Sequence, residues 1–403
     1  MTIGFRRPAA LQMIAISLLC LSSWTLVGCG AQEAAPPPGE MVLITGNRQG
    51  VPSIVDSSGR HPEILISSMR QQLISRFDRD MTVSIIAVDG DSQPQASEAF
   101  ELDTRNGQKR KESPEDNLLT LSGILADERA SSGEADLLAA LDAGGRASSS
   151  AANRTLYVYD SGVSTAGPLA MQNGLLGKSS DVSAIVQSLR AVGNLPSVND
   201  VVVHWWGLGQ VVAPQSDIPV WARTKLRDLW TAVIEAGGGS VVFHDDAIVA
   251  AVPQGELPSV TPVTFDDAET TPVSVSIPES QISFLPNSAD FAEPTAAETA
   301  LKKVASALEG PKGSALWVTG CTANPAGAST PIMQELSERR AQRVADELAK
   351  AGIAATFNVQ GLGPACPGRT PESGSSSQIE ASQAKNRRVL VTSRKLSPVT
   401  VQD

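Results

Sequence analysis

Basic residues are scarce in this sequence, and they are spread thinly along it. Lys and Arg total 32 against 43 Asp and Glu, which gives a formal net charge of −11 over 403 residues. The chain has no long basic run. Nucleic-acid binding depends on clustered positive charge that neutralises phosphates. The composition therefore argues against a nucleic acid as partner.

The sequence also lacks the motifs of nucleotide, metal and nucleophile chemistry. The segment 46–50, Gly-Asn-Arg-Gln-Gly, is neither a P-loop nor a GxGxxG dinucleotide fingerprint. There is no CxxC pair and no Cys/His spacing typical of a metal site. His61, His204 and His244 are far apart, and none has a sequence-local nucleophile or second histidine. We therefore predict no cofactor, no metal and no enzymatic activity.

The N-terminus predicts export and lipid anchoring. Arg6 and Arg7 precede an apolar run that ends in Leu26-Val27-Gly28-Cys29, which resembles a bacterial lipobox. This pattern predicts a signal peptide over 1–28 and a lipid on Cys29, which anchors the protein to the membrane on its extracytoplasmic side. The alternative is an uncleaved transmembrane helix, because the run is nearly long enough to span a bilayer. Residues 29–40, with Pro36-Pro37-Pro38, have the composition of a flexible tether.

Cysteine usage agrees with an oxidising compartment. Of the four cysteines, Cys20 falls in the predicted signal and Cys29 accepts the lipid. Cys321 and Cys366 remain, and an even pair in an exported protein favours a structural disulfide.

Residues 41–253 predict a parallel α/β sandwich. Apolar strands alternate with helical patterns, and a run such as Val201-Val202-Val203 requires burial on both faces. The predicted strands are 41–45, 82–88, 155–159, 201–206, 240–244 and, as a sixth, 248–252; the predicted helices are 62–77, 117–141 with a break within it, 181–192 and 219–236.

The order of these elements weakly resembles a von Willebrand factor A-like domain. That family requires an Asp-x-Ser-x-Ser metal cluster after the first strand, and here the position holds Asn47. Asp160-Ser161-Gly162-Val163-Ser164 follows the third strand instead and offers one carboxylate with two hydroxyls. We interpret it as a turn in which Asp160 caps backbone groups, with a cation site as the alternative.

A Pro- and Thr-rich linker over 254–278 precedes a second domain over 279–396 and a tail over 397–403. The second domain predicts an α+β fold. A strand is predicted at 281–285, and Thr295-x-x-Glu298 reads as a capping box that opens a helix. Further strands are predicted at 315–319, 356–360 and 388–392, and a second helix at 334–351.

Four blocks of this domain resemble the OmpA-like, peptidoglycan-associating family. They are Gly320-Cys321-Thr322-Ala323-Asn324, Leu336-Ser337-Glu338-Arg339-Arg340-Ala341, Gly361-Leu362-Gly363 and Asn386-Arg387-Arg388-Val389. The resemblance implies non-covalent binding of the diaminopimelate in peptidoglycan stem peptides. Carried onto matching positions, it implies a ligand site formed by the following residues: Thr322, Ala323, Arg340, Asn386 and Arg387. Two positions depart from the family pattern, because Ala323 replaces an aspartate and Met333 replaces an asparagine.

Arg340 is a candidate on helix geometry alone. Arg339 and Arg343 each have a glutamate four residues away, so both read as surface ion pairs. Arg340 aligns instead with the apolar stripe of its helix and has no acid at i±3 or i±4. It needs an acceptor elsewhere, which is either an internal group or a ligand carboxylate.

Three hypotheses follow from the sequence. The first is a cell-envelope lipoprotein that binds peptidoglycan and uses its α/β domain to contact another envelope protein. The second is an envelope scaffold or assembly lipoprotein whose OmpA-like site is degenerate, as Ala323 and Met333 suggest. The third, with the least support, is an enzyme acting around Asp160.

Overall fold

The structure is a computed structural model that describes residues 38–56, 62–90, 94–148, 154–246, 255–265, 273–308, 315–326 and 330–401. The predicted signal peptide, Cys29, His61 and the predicted strand 248–252 lie outside these residues. Residues 37–403 form one compact unit. None of the helices within the described ranges is both long and apolar enough to cross a bilayer.

The first part of this unit is built on a six-stranded sheet. In chain order its elements are β1 (Gly39–Thr45), β2 (Val55–Asp56), β3 (Glu63–Ile64), α1 (Ser67–Arg76), β4 (Met81–Ala87), β5 (Pro94–Phe100), α2 (Gly107–Asp127), α3 (Leu137–Ala147), β6 (Thr155–Tyr159), α4 (Val182–Ala191), β7 (Val202–Trp206), α5 (Val220–Ala236) and β8 (Ser240–His244). The strand order is β5-β4-β1-β6-β7-β8. Every pair is parallel except β4 with β5, which is an antiparallel edge.

Burial on both faces explains the apolar strands. Alternate residues of β1 enter two different cores: Val42 and Ile44 contact the α3–α5 side, whereas Met41 and Leu43 contact the α1–α2 side. The predicted parallel α/β sandwich is confirmed. The polar strand β5 and the first ten residues of α2 were missed, because neither carries an apolar periodicity.

The second part contains a four-stranded sheet with order β11-β10-β12-β9. Its elements are β9 (Ser274–Pro278), α6 (Pro294–Ala307), β10 (Ala315–Cys321), α7 (Thr330–Lys350), β11 (Thr356–Gly363), α8 (Ser376–Asn386) and β12 (Arg388–Thr392). Helices α6 and α7 cover one face of the sheet around Leu301, Val344 and Leu348, all nearly fully buried. The predicted α+β domain is therefore present.

Two local predictions for this part are wrong. Residues 281–285 form only an isolated bridge at Phe284, and the strand that pairs with β12 lies earlier, at 274–278. Thr295 does not cap α6, because the helix begins one residue earlier at Pro294 and its N-cap residue makes no side-chain hydrogen bond. A capping box is present instead at the start of α8, formed by Ser375 and Gln378.

The two parts share a packed boundary. Val192, at the end of α4, belongs to the core of the second part. The hydroxyl of Thr370 donates to the carbonyl of Gly90 at 3.1 Å, and Arg394 donates to the carbonyl of Gln172. The loop after β11 therefore rests against the first part.

Candidate functional site

A disulfide joins Cys321 to Cys366, as predicted from the cysteine count. Both residues are buried, and their Cα atoms are 5.7 Å apart. Cys321 is the last residue of β10, and Cys366 lies in the loop that follows β11. The bond therefore ties that loop to the turn after β10.

Arg340 reaches from α7 to the backbone of the segment after β9. Its Nε donates to the carbonyl of Ser288 at 2.9 Å, and Nη2 donates to that of Leu285 at 3.3 Å. The guanidinium carbon lies 4.9 Å from the ring centroid of Phe284, which adds a cation–π contact. Within the described ranges Arg340 forms no ion pair with a carboxylate. Partial burial lowers the pKa of the guanidinium, although the nearby Glu279 opposes this effect.

The neighbouring arginines behave as the helix spacing predicts. Arg339 pairs with Glu335 at 2.5 Å, and Arg343 pairs with Glu347 at 3.1 Å. Of the three arginines on α7, only Arg340 has a guanidinium bound to carbonyls and an aromatic ring alone.

Arg340 lines a small cleft, referred to below as the Arg340 cleft. Its walls are formed by Glu279, Ile282, Phe284, Cys321, Arg340, Arg387, Arg388 and Val389. Arg387 donates from Nε to Glu279 Oε2 at 2.6 Å, and each of these side chains keeps 30% exposure. The cleft thus offers two partly accessible guanidinium groups and one carboxylate, a charge pattern that suits a ligand with both signs.

Arg388 also lines the Arg340 cleft, but its guanidinium is used in hydrogen bonds within the protein. It is 7% exposed and donates to three backbone carbonyls, those of Lys385, Pro367 and Gly368. Burial lowers its pKa to about 10, against the opposing effect of Asp136 in the first part.

The other predicted ligand residues are placed differently. Thr322 and Ala323 are buried in the turn after β10 and do not line the Arg340 cleft. The backbone N–H of Thr322 donates to Gly363 at 2.9 Å, and its hydroxyl has no hydrogen-bond partner in the part of the chain described. Of the five predicted residues, only Arg340 and Arg387 meet in the cleft.

Asn386 is buried and holds a loop. Its Oδ1 accepts from the N–H of Thr370, while Nδ2 donates to the carbonyl of Thr370, both at 2.7 Å. Nδ2 also donates to Glu372 Oε1 at 2.8 Å. The side chain therefore supports the loop, and a direct ligand contact by Asn386 stays a prediction.

Sequence reasoning missed two acids at this end of the domain, Glu279 and Glu372. Glu279 directly follows β9, and Glu372 lies in the long loop between β11 and α8. Neither position belongs to a periodic pattern or to the motif blocks, so no local signal distinguishes them from other surface glutamates.

In the α/β part, the place where parallel sheets usually bind ligands is occupied by side chains of the protein itself. Strand order reverses between β1 and β6, and ligands of such sheets bind at the carboxyl ends of the strands there. Arg48 and Asp160 occupy that point as a buried ion pair at 2.5 Å. Asp160 also accepts from the N–H of Gly162 at 2.9 Å, which agrees with the predicted capping turn. A guanidinium already neutralises this carboxylate, so the alternative of a cation site loses its support.

His204 and His244, distant in sequence, lie together on β7 and β8. Nδ1 of His204 is 3.0 Å from Nε2 of His244, and His244 stacks on Trp206 with ring centroids 4.0 Å apart. Burial lowers the pKa of both imidazoles. No group of three or more His, Cys, Asp or Glu suited to a metal occurs among the described residues.

Comparison with known proteins identifies the second part. Residues 283–387 match the sequence model of the OmpA family. Residues 283–387 are therefore an OmpA-family domain. A search of curated proteins gives no match.

Solved structures similar to this chain each cover about a third of it. The cell wall anchor of the T6SS from Pseudomonas aeruginosa is 31% identical, with 32% of this chain and 83% of that chain covered and a TM-score of 0.24. A putative MotB-like protein from Desulfovibrio vulgaris is 23% identical, with 33% and 80% covered and a TM-score of 0.24. A periplasmic domain of MotB is 18% identical, with 30% of this chain covered and a TM-score of 0.24. The match spans only 61% of that MotB domain.

Proposed function

We propose that this protein is a lipid-anchored, non-catalytic protein of the cell envelope that binds peptidoglycan non-covalently at the Arg340 cleft. The observation that carries the proposal is the state of Arg340. Its guanidinium lies in an accessible cleft of an OmpA-family domain and is paired with no carboxylate of the described chain.

The charges of the cleft suit the diaminopimelate of a stem peptide. The exposed end of this residue is a zwitterion with one carboxylate and one ammonium. Arg340 and Arg387 provide planar donors for the carboxylate, and arginine binds carboxylates in a bidentate geometry that lysine does not match. Glu279 adds negative charge to the same cleft.

Co-sedimentation of the full chain with purified peptidoglycan that contains meso-diaminopimelate tests the proposal. The wild type should bind saturably. Arg340→Ala should weaken binding about tenfold or more, because a hydrogen bond to a charged group contributes roughly 1.5–3 kcal/mol. Arg339→Ala is the matched control, because it removes the adjacent arginine of α7, which pairs with Glu335. Equal binding by both variants, or none by the wild type, would refute the proposal.

Membrane attachment is proposed at Cys29. Two or more acyl chains provide stable anchoring, because each buried methylene contributes about 0.8 kcal/mol. Cys29→Ser should abolish metabolic labelling with palmitate and release the protein from membranes. Labelling that persists in this variant would place the lipid elsewhere, and no labelling of the wild type would exclude it.

The α/β part is proposed as an interaction module for another envelope protein. Its switch point is filled by Arg48 and Asp160, which leaves the exposed sheet and helix surfaces as the available contacts. Cross-linking in whole cells, with and without residues 41–253, would test this role. A cross-link pattern unchanged by the deletion would contradict it.

A scaffold with a degenerate OmpA-like site is the second candidate. Ala323 favours it, because this buried residue provides no charge at a position where the family has aspartate. If the wild type fails to bind peptidoglycan and Ala323→Asp binds it, this second candidate replaces the first.

A further inference from the structure

Residues 255–265, which belong to the predicted linker, form an extended segment against the first part. They contain no helix or strand, and no backbone–backbone hydrogen bond to them occurs among the described residues. Val260 and Val263 are buried at 6% and 3% exposure, and the half-buried Leu257 precedes them at the same interval of three residues. A period of three without internal hydrogen bonds is typical of polyproline II, which the two prolines of the segment favour.

The first part binds the main chain of this segment through two glutamine side chains. Gln49 Nε2 donates to the carbonyl of Leu257 at 3.0 Å. Gln215 makes two hydrogen bonds, because Nε2 donates to the carbonyl of Thr261 at 2.9 Å and Oε1 accepts from the N–H of Val263 at 2.8 Å. All three bonds are to backbone groups, so they recognise an extended chain whatever side chains it carries.

Two glycines leave room for the segment. A Cβ atom on Gly133 would clash with the carbonyl of Ser259, and one on Gly50 would lie 3.2 Å from Cγ1 of Val260. Gly50 also has a φ of +86°, which side-chain-bearing residues rarely adopt. These residues lie in the loops that follow β1, α2 and β7. The groove that they form, called the Gln215 groove below, consists of Gln49, Gly50, Gly133 and Gln215.

Such a groove suits a ligand in the polyproline II conformation. The backbone carbonyls of this conformation have no partners within the segment, and its stiffness leaves little conformational entropy to lose on binding. The glutamine amides bind the backbone, while apolar side chains three residues apart fill the space beneath them. The chain's own segment therefore occupies the groove in the manner of a bound peptide.

We propose that the Gln215 groove is a peptide-binding surface for an extended, proline-containing segment of a partner envelope protein. Residues 257–263 of the chain occupy the groove until such a segment displaces them. The inference rests on the proposed role of the α/β part as an interaction module, and it adds the surface and the kind of partner. Because the resident segment is linked to the groove, it competes at an effective concentration of roughly millimolar.

Fluorescence anisotropy with a labelled peptide of the sequence 256–264 tests the proposal on the full chain. The wild type should bind the peptide weakly, because its own segment competes. Leu257→Ser/Val260→Ser weakens that segment and leaves Val263 in the core, so this variant should bind the peptide about tenfold or more tightly than the wild type. Adding Gln215→Ala should weaken the binding about fivefold or more, because two hydrogen bonds are lost. Adding the exposed Gln187→Ala instead should leave it unchanged.

Two further peptides make the test independent of how well the opened variant folds. A peptide with glycine in place of both prolines keeps the apolar side chains but loses stiffness, so it should bind about threefold or more weakly than the original peptide. A peptide with a photoreactive group in place of Val260 should label the wild type within the loops 46–50, 129–134 or 210–215. Excess unlabelled peptide should suppress this labelling.

The inference is overturned if the opened variant binds the peptide no better than the wild type, if Gln215→Ala leaves that binding unchanged, or if the photoreactive peptide labels other regions. If these tests fail while cross-links in whole cells still depend on residues 41–253, the α/β part remains an interaction module that uses another surface. If those cross-links are also unaffected by the deletion, the proposed role of the α/β part fails together with the groove.

Discussion

Breaking the ion pair between Arg48 and Asp160 should be among the most damaging single changes to the first part. The side chain of Arg48 is 2% exposed and that of Asp160 is 0% exposed, and their shortest contact is 2.5 Å. Arg48→Met removes the cation and nearly preserves the volume, but it leaves the carboxylate buried. Loss of one partner of a buried pair costs about 3–5 kcal/mol, because the remaining charge is desolvated without compensation.

Part of this loss of stability should be recovered when the charge of Asp160 is removed as well. Asp160 Oδ1 accepts from the N–H of Gly162 at 2.9 Å, and Asp160→Asn retains an oxygen for that bond. The double variant Arg48→Met/Asp160→Asn contains neither charge and should recover at least half of the stability lost by Arg48→Met. Urea denaturation followed by tryptophan fluorescence measures these differences, since Trp205 donates to the carbonyl of Asp160 at 2.9 Å. A loss below about 1 kcal/mol for Arg48→Met would refute the claim that the two charges are buried from water and that each compensates the other.

Two further predictions concern the disulfide and the histidine pair. The Cys321→Ser/Cys366→Ser variant should lose roughly 4 kcal/mol of stability, from closure of a loop with a sequence separation of 45; a reductant-insensitive melting temperature in the wild type would contradict this. Burial lowers the pKa values of His204 and His244 in the folded chain. Just below the histidine pKa of the unfolded chain, about 6.5, the unfolded chain therefore binds more protons than the folded chain. The stability associated with these neutral imidazoles is therefore present above that pH and is lost as the pH falls towards their folded-state pKa. Urea midpoints from pH 7.5 to 5 should fall less steeply in His244→Gln than in the wild type. The same dependence of the midpoint on pH in both proteins would refute the argument.

Periodicity in the sequence predicted most of the buried architecture. Strands β6, β8 and β12 were predicted with their observed bounds, because apolar runs between turn residues leave little freedom in where a buried strand ends. The edge strand β5 and helix α8 have mostly polar sequences, so no hydrophobic pattern marks them. The strand β9 was assigned to the linker because its proline-rich surroundings obscure its alternation.

The candidate site was predicted only in part, for a physical reason. Arg340 could be identified from the sequence because Arg339 and Arg343 each have a glutamate four residues away, whereas Arg340 has no acid one helical turn away. Glu279 reaches the site from the end of β9, and its place there depends on long-range contacts such as the ion pair with Arg387. A local pattern contains no information about such contacts. Thr322 and Asn386 matched the family motif in sequence, but both are buried away from the Arg340 cleft.

The most direct test of the account follows the guanidinium of Arg340 itself. The full chain, labelled with ¹⁵N-arginine, would be titrated with a soluble peptidoglycan fragment that carries a meso-diaminopimelate stem peptide. The Nε–Hε resonance of Arg340, assigned by comparison with Arg340→Lys, should shift saturably, and that of Arg339 should stay in place. If the Arg340 resonance does not move while the fragment binds elsewhere, or if nothing binds, the Arg340 cleft is not a peptidoglycan site.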